Sequence, residues 1–243
     1  MRKFGLVGKH IDYSFSKSYF NTKFKVLGLP FHYENFDLES ITEFPEVIHK
    51  ISNLGGLNVT IPYKQAIIPY LDELDREALS IGAVNTIKVT DKGMLIGYNT
   101  DAYGFKTSLE PLLREHHDKA LILGTGGASL AIEFVLNQLA IPYNHVSRTT
   151  DIAGNFTYQA LTKDIIADHR IIINCTPVGT HPNTNASPSI PYDGITPKHL
   201  LYDLIYNPSE TAFLKQGKAQ YALIQNGEKM LELQAEKAWN IWQ

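Results

Sequence analysis

The sequence predicts an α/β fold built as two units. Short β-branched runs alternate with stretches of helical periodicity. A Gly124-Thr125-Gly126-Gly127 turn joins a buried apolar run to an apolar-striped helix, and the polar string Asn99-Thr100-Asp101 separates one α/β series from the next.

In the first series Phe4 to Val7 reads as a strand. Phe20, Phe24 and Leu27 recur at i, i+4 and i+7, the stripe of an amphipathic helix. Phe31 to Phe36 and Leu57 to Ile61 read as further strands, and Ile67 to Leu79 as mostly helical. Ala83 to Thr90 and Met94 to Tyr98 form a hairpin around Asp91-Lys92-Gly93. In the second series Ala102 to Arg114 is helical and Ala120 to Leu123 is a short buried strand. Ala128, Ala131, Ile132, Val135 and Leu139 then mark one helix face, closed by Pro142. Tyr143 to Val146, Ile171 to Asn174 and Leu200 to Leu204 supply more strands, Pro177 to Pro197 is a loop, and Glu228 to Gln243 is a helix.

Composition excludes several classes. With 44% hydrophobic and 19% charged residues over 243 positions, the chain has ample apolar content for a core and is not disordered. Its 22 basic and 25 acidic residues give a net charge of −3, without the basic excess or stripe of a nucleic-acid binder. No apolar run approaches the roughly 20 residues that span a membrane, and Gly8 to Asp12 cut the first apolar run too early for a signal peptide. The single cysteine, Cys175, allows no internal disulfide and no Cys-based metal site. A cytoplasmic protein with no metal, membrane or nucleic-acid partner is the expectation.

Two places carry chemistry. Gly124, Thr125, Gly126, Gly127 and Ala128 lie between strand and helix, where glycines let backbone N–H groups approach a pyrophosphate at the helix N-terminus. A ligand-free αβ loop is the other reading. After the next strand, Ser147-Arg148-Thr149-Thr150 offers a guanidinium and hydroxyls to a 2′-phosphate, which argues for NADP over NAD. Asp151 pulls the other way, and a solvated surface Arg148 is the plainer alternative. Earlier, Asn58 and Thr60 are two apart on a strand and share a face, with Val59 and Ile61 on the opposite one. Pro62 breaks the strand and frees Lys64 to project over the polar face. Asn85-Thr86 and Asn99-Thr100-Asp101 add polar groups at two further strand ends.

Over nearly its whole length the chain resembles the shikimate dehydrogenase family. The resemblance rests on Tyr13-Ser14-Phe15-Ser16, on Asn58 to Lys64, on Ile81 to Thr86 and on Gly97 to Asp101. Gly124 to Ala128, Asp203 to Pro208 and Asn226-Gly227 with Met230, Leu231, Gln234 and Ala235 complete it. It implies an N-terminal α/β substrate domain (1–101), a Rossmann-like NADP-binding domain (102–225) and a C-terminal helix (226–243) that packs back on the first domain. The implied reaction is the reversible NADPH-dependent reduction of 3-dehydroshikimate to shikimate, a step toward chorismate and the aromatic amino acids. Substrate and cofactor would meet in a cleft, with domain closure.

Carried over by position, Lys64 and Asp101 are the catalytic pair, with Lys64 handling the proton of the carbonyl oxygen. Whether geometry or a tuned pKa makes a lysine effective there stays open. Ser14 and Ser16 would bind the substrate carboxylate, Ser16 being alternatively the N-cap of the Phe20/Phe24 helix. Asn58, Thr60, Asn85 and Thr100 would hold ring hydroxyls, with Tyr206 reaching them from the cofactor domain. Gln234, at the edge of the apolar face of the last helix, would serve the substrate or a structural hydrogen bond. Gly124 to Ala128, Ser147, Arg148, Thr149, Leu204 and Gly227 would bind the cofactor. Tyr13, Lys17 and Ser147 replace the family's usual His, Pro and Asn, and no second cation lies between Asp151 and Asn155. A quinate/shikimate dehydrogenase with relaxed cofactor use, a non-catalytic ligand-binding regulator, and monomer or homodimer all stay open.

Overall fold

The computed structural model describes residues 1–12, 14–149 and 155–243. They form two compact units, Met1–Thr100 with Gln234–Gln243, and Asp101–Leu233.

The first unit opens with β1 (Arg2–Gly8), α1 (Phe15–Val26), β2 (Phe31–Asp37), α2 (Phe44–Lys50) and β3 (Leu54–Val59). β4 (Glu73–Leu74), α3 (Arg76–Ile81), β5 (Thr86–Val89) and β6 (Leu95–Tyr98) follow. One sheet results, in the order β2-β1-β3-β5-β6-β4. Its β1, β2 and β3 are parallel, while β5 pairs antiparallel with β3 and with β6. The β5–β6 hairpin forms as its turn chemistry requires, with Gly93 at φ 81°.

Three local expectations need correction. Residues 67–79 are not mostly helical: Ile68–Tyr70 is a 3-10 turn, β4 adds to the sheet edge, and α3 starts only after its Asp75 cap. Pro69 inside the stretch and the capping aspartate break the periodicity. β3 stops at Val59, so Ile61 does not join Val59 on a core face but lies 67% exposed. Leu27 likewise falls outside α1, as its exposed C-terminal cap, leaving Phe20 and Phe24 to carry the stripe.

The core under α1 is aromatic. Phe4, Phe20, Phe24 and Tyr33 pack with Trp239 and Trp242 of the last helix. Trp242 is fully buried, lies 4.9 Å ring to ring from Phe4 and 5.1 Å from Phe20, and donates its indole N–H to the Ile87 carbonyl at 3.0 Å. Gly56 must be glycine there, because a Cβ would fall 2.2 Å from the indole nitrogen.

The second unit runs α4 (Asp101–Leu109), β7 (Ala120–Leu123), α5 (Gly127–Gln138), β8 (Tyr143–Ser147), β9 (Phe156–Thr157) and α6 (Lys163–Asp168). It continues with β10 (Ile171–Asn174), β11 (Leu200–Asp203), α7 (Ala212–Ala219), β12 (Leu223–Gln225) and the start of α8 (Glu228–Trp242). All six strands are parallel, in the order β12-β11-β10-β7-β8-β9. Read from the other edge and counted within the unit, this is 3-2-1-4-5-6, the doubly wound dinucleotide-binding order. The order reverses between β7 and β10, so the glycine turn after β7 stands at the switch point where such sheets take ligands. Leu121, Leu123, Ile172 and Leu201, completely buried, are the continuous apolar runs that a sheet covered on both faces demands. No helix of the described residues is long and apolar enough to cross a membrane.

Candidate active site

In the first unit, buried polar side chains from separate elements meet in one hydrogen-bonded chain. Asn58, at the end of β3, accepts from the Tyr33 hydroxyl at 2.8 Å and donates to the Asn85 carbonyl and the Thr86 hydroxyl at 3.3 and 3.2 Å. Asn85 Oδ1 accepts the backbone N–H of Thr100 at 2.7 Å, and the hydroxyls of Thr86 and Thr100 lie 3.1 Å from it. Thr100 in turn lies 3.3 Å from Gln234 Oε1 on α8. Asn58, Asn85, Thr86, Thr100 and Gln234 are all at most 9% exposed. Burying so many polar groups is costly unless they are partnered, which this network achieves through the three hydroxyl and amide contacts at Asn85 Oδ1 and for both amide hydrogens of Asn58.

The network leaves specific capacity for a ligand. Both N–H groups of Asn58 are used within the protein, so it retains only an acceptor lone pair. No described residue accepts from Asn85 Nδ2, which makes that amide the open donor. Thr60 stands apart from the network, half-buried just past β3. Tyr33 and Thr86 are integral to the network; the sequence pattern marks Thr86 only as a polar group at a strand end and does not single out Tyr33. The period-2 alternation of β2 is the only signal for Tyr33, and it does not distinguish a core tyrosine from a bridging one.

Ser14, not Ser16, caps α1: its side chain accepts from Lys17 N at 3.4 Å with φ −75° and ψ 125°. Ser16 sits in the first turn, buried, and hydrogen-bonds Tyr33, whose hydroxyl burial pushes well above its ordinary range. Tyr33 therefore links Ser16 to Asn58. Tyr13 lies outside the described residues.

Lys64 is half-buried on a turn fixed at both sides. Its carbonyl accepts Val84 N at 2.7 Å, next to Asn85, and the neighbouring Tyr63 donates its hydroxyl to the Leu38 carbonyl at 2.6 Å. Asp101, buried, opens α4 directly after Thr100.

The second unit holds the other predicted positions. Gly124 has φ 101° and Gly126 is the N-cap of α5, with no side-chain cap on the helix. A Cβ on Gly126 would meet nothing within 4 Å. Thr125 and Gly126 are exposed, Gly127 and Ala128 half-buried. Uncapped N–H groups at the start of a 12-residue helix, with open space before them, fit a pyrophosphate. Ser147 ends β8 and donates to the Thr149 carbonyl. Arg148 and Thr149 are exposed, and among the described residues no carboxylate pairs with Arg148, which fits a 2′-phosphate. Thr150 and Asp151 lie outside the described residues.

At the end of β11, Asp203 is completely buried and accepts from Thr211, Asn174 and the Ile205 N–H at 2.6, 3.0 and 3.1 Å. Burial pushes its carboxyl up to about 6 against those three donors. The anchor shapes Leu204 to Tyr206, with Tyr206 38% exposed and its hydroxyl raised by burial. Gly227 donates to the Ile205 carbonyl at 3.0 Å, and a Cβ on it would fall 2.1 Å from the Leu204 carbonyl oxygen. Backbone cannot yield as a flexible side chain can. Gly227→Ala is therefore expected to destabilise the chain by about 1–3 kcal/mol, read as a lowered urea midpoint, and an unchanged midpoint would refute this close packing.

Comparisons with known proteins agree with the fold. Residues 6–87 match the family described as the shikimate dehydrogenase substrate binding domain. The chain is 38% identical over 264 residues to shikimate dehydrogenase (NADP(+)) of Chlorobaculum tepidum, covering 98% of this chain and 89% of that protein. Among solved structures, shikimate dehydrogenase from Aquifex aeolicus superposes with a TM-score of 0.88 at 31% identity, covering 100% and 92% of the two chains. The Thermus thermophilus enzyme, in complex with NADP(H) and shikimate, gives 0.87 at 31% identity, covering 100% and 93%.

Proposed function

The chain belongs to the shikimate dehydrogenase family, and we propose that it catalyses the reversible NADPH-dependent reduction of 3-dehydroshikimate to shikimate. The observation that carries this reading is the buried network of Asn58, Asn85, Thr86, Thr100 and Gln234, a polar seat in a fold otherwise rich in apolar contacts. A polyhydroxylated ring is the ligand such a seat suits, because each hydroxyl both donates and accepts.

NADP(H), when bound, supplies or takes up the hydride. The residues that would hold it are Gly124 to Ala128 for the pyrophosphate, Ser147, Arg148 and Thr149 for the 2′-phosphate, and Leu204 with Gly227 toward the nicotinamide. Lys64 gives a proton to the carbonyl oxygen in reduction and takes it back in oxidation. Asp101 orients Lys64 and a substrate hydroxyl. Asn85 donates through Nδ2, Asn58 accepts through Oδ1, and Thr60, Thr100 and Gln234 complete the hydroxyl contacts. Ser14 and Ser16, at the start of α1, receive the carboxylate, where the helix dipole favours an anion. Tyr206, just past the end of β11 in the second unit, is the further substrate residue that the family resemblance implies.

Loss of NADPH absorbance on adding 3-dehydroshikimate tests the reading. Turnover supports it; binding of shikimate without turnover would instead make the chain a ligand-binding relative. Replacing Arg148 separates the cofactors: Arg148→Ala should raise KM for NADP⁺ by roughly 10–100-fold, the loss of a charge-assisted contact, and leave KM for NAD⁺ in place. An equal rise for both would remove Arg148 from phosphate recognition.

A further inference from the structure

A pair of side chains behind the glycine turn has no part in the assignments above. His145, on β8, is 9% exposed. Its Nδ1 lies 3.2 Å from the Gly124 carbonyl oxygen and its Nε2 lies 3.2 Å from Glu133 Oε1 on α5. A neutral imidazole has one N–H and one lone pair. Both partners here are acceptors only, so the ring satisfies both only as the imidazolium. The Ser129 hydroxyl completes the arrangement, 2.8 Å from the Gly126 carbonyl and 3.3 Å from the same Glu133 oxygen.

We propose that the His145 imidazolium, paired with Glu133, is a positioning residue that clamps the Gly124 carbonyl and so pre-forms the turn that receives the dinucleotide, releasing its hold when the ring loses its proton. The cofactor side of this rests on reading the turn as the NADP seat. Gly124 is the hinge of that turn: its φ is 101°, and its N–H is already held by the Val146 carbonyl at 2.8 Å. Holding its carbonyl as well pins the peptide planes on both sides of its Cα. The N–H groups that follow then point in one direction before any anion arrives, which lowers the ordering cost of binding.

Among the described residues, few groups face this pair. Tyr143, edge-on to the ring at 5.6 Å, lies near Glu133, and burial pushes its hydroxyl up, so it stays neutral. Cys175 feels Glu133, and burial drives its thiol far above the ordinary range. Asn155 accepts the His145 backbone N–H at 3.1 Å and does not titrate. Burial acts to lower the His145 pKa, but the bond and charge of Glu133, with the Gly124 carbonyl, outweigh it and raise the value. A raised folded-state pKa means that the clamp is complete below the ordinary histidine range and is lost as pH rises through the raised value.

The test has two arms on the full chain. The NADP⁺ dissociation constant is measured by calorimetry from about pH 7 upward, where the cofactor's 2′-phosphate is already ionised. It should weaken by roughly three- to tenfold as pH rises, the cost of one hydrogen bond. Glu133→Gln should flatten that profile, since its amide can donate to the lone pair of a neutral His145. In the cofactor-free chain, hydrogen-exchange protection of the amides from Thr125 to Ser129, corrected for intrinsic rates, should fall over the same pH range in wild type and stay level in Glu133→Gln. A flat affinity profile with pH-independent protection in wild type, or the same inflection in Glu133→Gln, would overturn the clamp. Failure of NADP⁺ to bind at any pH would overturn the dinucleotide reading, while the exchange arm still decides the clamp.

Discussion

Lys64→Ala is expected to lower kcat by about 10²–10⁴-fold, the range for removing a positioned general acid–base, while shikimate binds nearly as well as before. The bonds that build the seat for the ring run between amides and hydroxyls. Asn58 is held by Tyr33, Asn85 by Thr100, and Thr100 is in reach of Gln234, each through bonds that the substitution leaves untouched. The turn itself also survives, because the contact at residue 64 that fixes it is a backbone one, Val84 N to the Lys64 carbonyl. A KM or dissociation constant that stays level while kcat collapses is the signature of an interaction made in the transition state. Stopped assays in both directions, with calorimetry on the variant, provide the check. An unchanged kcat would remove Lys64 from the mechanism, and a lost affinity with unchanged kcat would make it a binding residue.

Trp242→Ala should cost about 3–5 kcal/mol of stability, the usual range for truncating a fully buried large aromatic. The indole fills the space above Gly56, packs against Phe4 and Phe20, and donates to the Ile87 carbonyl, so its loss leaves both a cavity and an unpaired acceptor. The effect should also reach the substrate seat. Gln234 lies two helical turns before Trp242 on α8, and that stretch is held by the same aromatic cluster through Ala235, Ala238 and Trp239. The variant is therefore expected to raise KM for shikimate beyond any change in KM for NADP⁺. Chemical denaturation gives the first number and steady-state kinetics the second. A midpoint shift of less than about 1 kcal/mol would contradict the packing account.

The fold was largely legible because its signals are strong and local. The apolar runs at Ala120, Ile171 and Leu200 bracket buried parallel strands, and the glycine turn stands where the strand order reverses. Residues 67–79 misled because Ile67, Ile68 and Leu71 have helical spacing, yet Pro69 and the Asp75 cap split the stretch into three pieces. Val59 and Ile61 misled for a related reason: alternation predicts a shared face only while the strand lasts, and β3 ends first.

In the site, Asn58, Asn85, Thr100 and Gln234 stood out as polar residues at strand ends or on the edge of an apolar face. Thr86 stood out only as a polar group at a strand end and Tyr33 not at all, since their roles depend on neighbours 28 and 25 residues away in the chain, beyond the reach of periodicity. The same holds for His145, whose partners Gly124 and Glu133 come from the β7–α5 turn and from α5. The cap of α1 falls on Ser14 and not, as the alternative reading had it, on Ser16, because a cap is set by backbone angles, which two serines in one short segment do not reveal.

A polyol seat and a 2′-phosphate-compatible dinucleotide seat in one chain are what an NADP-dependent shikimate dehydrogenase requires. Initial rates with shikimate and with quinate, each with NADP⁺ and with NAD⁺, test that assignment most directly. kcat/KM is expected to be highest for shikimate with NADP⁺, with both replacements costing activity. A clear preference for quinate or for NAD⁺ would contradict it.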